Sequence, residues 1–182
     1  MRWARLFDDL DAQVEAAERA ERSAESADLR RLELSRLALS ERLAAAEGVQ
    51  VTVTVEGADP LTGAISRVGA EWLLLQEAAG GETLVSAPAV VAVTGLPVAS
   101  IPSTDEVDRR LGIGVVLRQL ARDRAPVAVA TRSGAVFTGT IDRVGVDHVD
   151  LAEHAADRPR RASDVLRVRT IATAAISFVR PA

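Results

Sequence analysis

The first 47 residues hold no glycine and no proline, and their apolar positions recur at helical spacing. Trp3, Phe7, Leu10, Val14 and Ala17 step by four and three residues and form one apolar seam, the spacing of one helix face. The seam ends near Glu21 after about two heptads, short of a free-standing coiled coil. Ser23, Ser26 and Asp28 carry side chains that compete with the backbone for hydrogen bonds, which marks a break or a fresh N-cap. Leu29, Leu32, Leu39, Leu43 and Ala46 make a second stripe, widened by Leu34 and Leu37. The pattern predicts two helices, over about 2–22 and 28–47.

After Gly48 the period changes to two. Val49, Val51, Val53 and Val55 alternate with Gln50, Thr52 and Thr54, the pattern of a half-buried strand. Further strands are predicted over about 61–68, 72–77, 83–86 and 90–93, with turns at Asp59-Pro60, Gly69 and Gly80-Gly81. Leu96 to Thr104, with two prolines, reads as a linker. Ser103 and Glu106 have capping-box spacing, so a helix is predicted from about Asp105 to Arg122. Gly112 and Gly114 each weaken that helix by about 1 kcal/mol relative to alanine, which suggests close packing there. Alternation resumes at Val127, Val129 and Thr131 and ends with Ala175 to Val179.

The two strand-rich stretches are copies of each other. Thr62–Glu77 and Thr138–Glu153 are identical at eight of sixteen positions at an offset of 76. Val51 and Val53 match Val127 and Val129, and Val85–Val93 faces Ile171–Val179 at an offset of 86. The second copy therefore has about ten extra residues near His154 to Arg169. Each copy reads as a helix followed by five strands. The shared Thr-Gly at the start of the second strand lets that strand bend, the device that closes a small sheet. A barrel of about 50 residues is marginal alone and leans on its helix, its twin or another chain.

The motif Gly-x-Ile-x-Arg-Val-Gly-x-[Glu/Asp]-x-[Leu/Val]-x-Leu within helix plus five strands resembles the Sm-like barrel of the Sm, LSm and Hfq proteins, over roughly 28–95 and 105–180. The paired copies also resemble a group of actinobacterial proteins labelled Fis-type regulators, although Fis needs a C-terminal helix-turn-helix and this chain ends in a strand. The resemblance implies a barrel and ring assembly. It does not bring the family's uridine pocket, because the chain has no Asn, no Arg-Gly in Thr83–Val93 and no Tyr-Lys-His-Ala segment. The expected fold is α+β: an N-terminal helical segment followed by two helix-plus-five-strand Sm-like small β-barrels. The expected domains are an N-terminal helix over 1–27, a first helix and barrel over 28–96, a linker over 97–104, and a second helix and barrel over 105–182.

Composition narrows the chemistry. The chain has 182 residues, no Cys, 22 basic residues that are all Arg, and 26 acidic ones, a formal net charge of −4. Missing Lys, Asn and Tyr share A/T-rich codons and point to a high-GC bacterium. No disulfide framework, thiolate metal site, Cys nucleophile or Schiff-base lysine can exist here. Aromatics make up 3%, too few for a stacking platform on single-stranded nucleic acid. No apolar run reaches the roughly 18 residues of a membrane span, and the N-terminus lacks the apolar stretch of a signal peptide. A cytoplasmic protein with no membrane partner is expected.

His148 and Asp150 share a strand face at a spacing that suits a divalent ion. With two His in the chain and Trp72 and Leu74 at the matching positions of the first copy, they read as a solvated face. No metal, cofactor, catalytic residue or small-molecule substrate is expected, because no nucleophile motif or dinucleotide loop frames the Ser, His and Asp residues. Trp72 and Leu74 point outward if Leu73 and Leu75 point inward, and mark an interface or a face covered by a helix of the chain. Arg158, Arg160, Arg161, Arg167 and Arg169 lie in the extra loop, a patch suited to phosphates. The sequence thus predicts a non-enzymatic interaction and oligomerisation module, with self-association or a protein partner using Trp3, Phe7, Leu10, Val14, Trp72 and Leu74. The alternative is an RNA-binding regulator using the Arg-rich loop.

Overall fold

A computed structural model describes residues 19, 21–26, 31–32, 35–78, 80–97, 111–156, 161 and 163–182. The chain divides into two units, Met1–Ala38 and Leu39–Ala182. In the first, residues 19, 21–26, 31–32 and 35–36 are helical. Ser26 is itself helical, and its hydroxyl donates to the Ser23 carbonyl at 2.9 Å. Leu37 and Ala38 are not helical. Trp3, Phe7, Leu10 and Val14 lie outside the described residues.

The second unit begins with α1 (Leu39–Ala44), whose Leu43 and Ala44 are buried. The valine alternation then becomes burial: in β1 (Gln50–Val55), Val51, Val53 and Val55 are buried while both threonines between them are half-buried. β2 (Leu61–Val68), β3 (Trp72–Glu77), β4 (Glu82–Ser86) and β5 (Val90–Thr94) complete the first half. α2 (Ile113–Asp123) opens the second half and stops at Arg124, which takes the left-handed conformation with φ 54°. α2 starts later than its sequence suggests, since Leu111 and Gly112 are not helical; the Ser103–Glu106 pair lies outside the described residues. β6 (Val127–Thr131), β7 (Val136–Val144), β8 (His148–Glu153), β9 (Arg167–Ala172) and β10 (Ile176–Pro181) follow.

The repeat is carried into register. Ile65 pairs with Leu75 and Arg67 with Leu74, and a bulge separates the two pairs. Ile141 pairs with Leu151 and Arg143 with Asp150, again around a bulge. A bulge bends its strand and increases its twist. Glycine serves the same bend: a Cβ on Gly63 would sit 2.7 Å from the Gln76 carbonyl oxygen, and one on Gly139 would run into that of Ala152.

The expectation of two Sm-like barrels behind an N-terminal helical segment is corrected here. All ten strands form one open antiparallel sheet in the order β5-β1-β2-β3-β4-β10-β6-β7-β8-β9. The reason lies at the outer edge of β4. Its backbone is satisfied by the other half of the chain, with Leu84 opposite Val179 and Val85 opposite Phe178, so neither half closes on itself. Strands β5 and β9 are left as the two edges of the sheet.

Side chains follow the same exchange. The first core gathers Val51, Val53, Ile65, Leu73 and Leu75 but also takes Ala130 and Phe178 from the second half. The second core gathers Leu117, Val129, Ile141 and Leu151 but takes Trp72 and Leu84 from the first. Each half thus completes the other's apolar interior.

Candidate functional site

The junction between the halves is fixed by polar groups as well as by the β4–β10 ladder. Glu56, at the end of β1, and Arg132, at the end of β6, stand 76 residues apart and occupy the same place in the repeat. They pair with each other: Arg132 Nε donates to Glu56 Oε2 at 2.7 Å and Nη2 to Oε1 at 2.9 Å. Nη2 also donates to the Pro88 carbonyl at 3.1 Å. The Ser177 hydroxyl donates to the Glu56 carbonyl at 2.6 Å. Gly57 sits against the opposing turn with φ 75°, where a Cβ would lie 2.5 Å from the Thr131 carbonyl oxygen and 2.6 Å from the Gly134 nitrogen.

The guanidinium hydrogen bonds outweigh the opposing effect of burial and hold the Glu56 carboxyl below its ordinary range, and the same pair raises Arg132. Because the folded value of Glu56 is depressed, its contribution is whole at neutral pH and is lost as the pH falls through the carboxylate range. E56Q is therefore expected to melt below the native protein at pH 7. The gap between the two should close in acid, as followed by thermal unfolding from pH 7 to 3. A gap that stays constant with pH would contradict the assignment.

Trp72 does not project from the surface. Its ring is buried in the second core, and Nε1 donates to the Leu111 carbonyl at 2.8 Å, just ahead of α2. Leu74, half-buried, packs on the same core. At the matching positions His148 and Asp150 are half-exposed. His148 Nδ1 bonds Asp147 Oδ1 at 2.8 Å, which holds the Asp147 carboxyl below its ordinary value. Asp150 accepts from Thr170 Oγ1 at 2.7 Å. Among the described residues no group of three or more His, Cys, Asp or Glu side chains is placed to hold a metal ion.

The arginines of the extra loop are divided. Arg167 Nε pairs with Glu153 Oε2 at 3.0 Å, and Arg169 pairs with Glu153 Oε1 while its guanidinium lies 4.1 Å from the centroid of the Phe137 ring. Arg161 is exposed, and Arg158 and Arg160 lie outside the described residues. Beside Glu153, the His154 imidazole is buried, with Nε2 2.8 Å from the Thr140 hydroxyl and Nδ1 donating to the Ala155 carbonyl.

The Glu56–Arg132 pair is legible in the sequence once the repeat offset is applied, because opposite charges then fall at one position. Among the described residues no helix is long and apolar enough to cross a membrane. Compared with protein-family profiles, curated proteins and solved structures, the chain matches none.

Proposed function

We propose that the protein is a non-enzymatic assembly module that binds further copies of itself head to tail, β9 of one chain to β5 of the next. The carrying observation is a difference between two copies of one strand. Ile176, Ser177, Phe178 and Val179 in β10 are all buried, and β4 pairs with Phe178 and Val179. Their counterparts Val90, Val91, Ala92 and Val93 in β5 are apolar throughout, yet two are exposed and two half-buried at a free edge. A bare apolar edge without charge is the kind that recruits another strand. β9 is the counterpart of β4 and is the other free edge.

The internal junction supplies the register. Carried over at the offset of 86, Val85 opposite Phe178 and Leu84 opposite Val179 become Ile171 opposite Ala92 and Thr170 opposite Val93. Ser133 stands where Gly57 allows close approach, so the contact between chains is looser than the one within a chain and depends on concentration.

Val91 and Thr170 are both exposed and become diagonal neighbours on one face in this register, within reach of long side chains. The double variant V91E/T170E is expected to be monomeric by light scattering, whereas V91K/T170E retains the concentration-dependent mass of the native protein. Equal behaviour of the two variants, or a native protein that stays monomeric at all concentrations, would refute the reading.

A further inference from the structure

We propose that the pocket at the start of α2 binds a small molecule carrying both a carboxylate and an ammonium group, of the free amino-acid kind. The pocket encloses about 420 Å³, within the range of small-molecule sites. Its walls come from one chain, so this proposal stands apart from assembly. Its inner wall offers donors. α2 is an 11-residue helix whose N-cap, Gly112, supplies no side-chain hydrogen bond, so its first turn presents backbone N–H groups and the positive end of the helix. The packing expected at the two glycines is absent: nothing lies within 4 Å of a Cβ built on Gly112, and one on Gly114 would meet only the end of Arg118. The missing side chains leave the backbone open to a ligand.

The second observation is independent of the helix. Ser86 is 5% exposed, and its hydroxyl has no hydrogen-bond partner among the described residues. Ser86 shares a strand face with Leu84, which packs with Ile113 and Leu117 of α2. Its side chain therefore points at the start of α2, where Ser86 forms part of the pocket wall. A buried hydroxyl without a partner is rare and calls for an occupant. Arg132 closes a third side, its guanidinium held by Glu56 and by the Pro88 and Ala174 carbonyls.

The remaining charges select among anions. Glu71 and Asp147 also line the pocket, and both are exposed. Asp147 is held ionised by its bond to His148. A bare anion would meet these carboxylates on entry, and a bare cation would meet the helix end and Arg132. A molecule with an acidic and an amino end places each against its complement: the carboxylate at the Gly114 N–H and the Ser86 hydroxyl, the ammonium at Glu71 and Asp147.

The test is an amide chemical-shift titration of the full chain with a panel of free L-amino acids, using acetate and ethylammonium as the two halves of the ligand. At least one amino acid is expected to shift the Ser86, Gly112 and Gly114 amides in a saturable way below about 20 mM, with neither half doing so. S86A removes an oxygen that has no protein partner. It should leave the melting temperature no lower while weakening binding roughly fivefold or more. E71Q, at an exposed position, removes a carboxylate that attracts an ammonium and repels a bare anion, so it should weaken the amino acid without weakening acetate. Acetate binding as tightly as the amino acid, unchanged affinity in S86A, or no shift from any member of the panel would each overturn the proposal.

Discussion

Replacing Trp72 with alanine is expected to remove roughly 3–5 kcal/mol of stability, the range for truncating a buried large aromatic. That is a large share of the 5–15 kcal/mol that holds a typical domain together. The ring is 3% exposed, and the substitution would also leave the Leu111 carbonyl without its indole donor. The location of the damage is the informative part. Trp72 belongs to the first half by sequence and to the second core by contact, beside Ile113, Leu117 and Val149. Amide exchange in W72A should therefore rise first in α2 and β8 rather than in β1 and β2. F178A should show the reverse, because Phe178 belongs to the second half and packs among Val53, Leu73 and Val85. In urea each variant should still unfold in one transition, since each core holds residues from both halves. Damage confined to the half that carries the mutation would contradict the exchange.

The second large effect is expected at Gly57, with two other glycines as its controls. Gly48 and Gly80 have φ of 80° and 90° with nothing within 4 Å of a built Cβ. Alanine at either meets only the cost of the left-handed conformation, about 1–2 kcal/mol. Gly57 has a similar φ of 75°, but its Cβ would press on backbone atoms of Thr131, Arg132 and Gly134 across the junction. Backbone cannot rotate away as a flexible side chain can, so the turns must separate and the Glu56–Arg132 pair must stretch. G57A is expected to lose at least about 3 kcal/mol by chemical denaturation, well beyond G48A and G80A. Equal losses at the three positions would mean that the two turns are not in contact.

The strands were legible because alternation is a local signal: Val51, Val53 and Val55 announce one buried face without reference to anything distant. The open sheet was not legible from that signal, because alternation does not say which strand will cover an edge. A subtler mark was present. Thr83, Leu84, Val85 and Ser86 are consecutive and all buried, as are Ile176 to Val179. A short strand buried on both faces has neighbours on every side, and the Leu84-Val85 and Phe178-Val179 steps hint at it. β5 defeats the same rule, since Val90 to Val93 reads alike and yet lies at an edge. The outward position of Trp72 relative to its own half followed from strand parity, but parity does not say that α2 of the other half covers it. The Ser86 pocket had no sequence signal at all, because it exists only once the end of β4, the start of α2 and the β7–β8 turn have come together.

The open sheet with two complementary edges is tested most directly by amide hydrogen exchange at increasing protein concentration. Amides of β4 and β10 should be protected at every concentration, since their pairing lies within the chain. Amides at the outer edges of β5 and β9 should exchange quickly in dilute solution and slow together as concentration rises. Exchange in β5 and β9 that does not respond to concentration would contradict head-to-tail pairing. Fast exchange in β4 and β10 would contradict the single sheet itself.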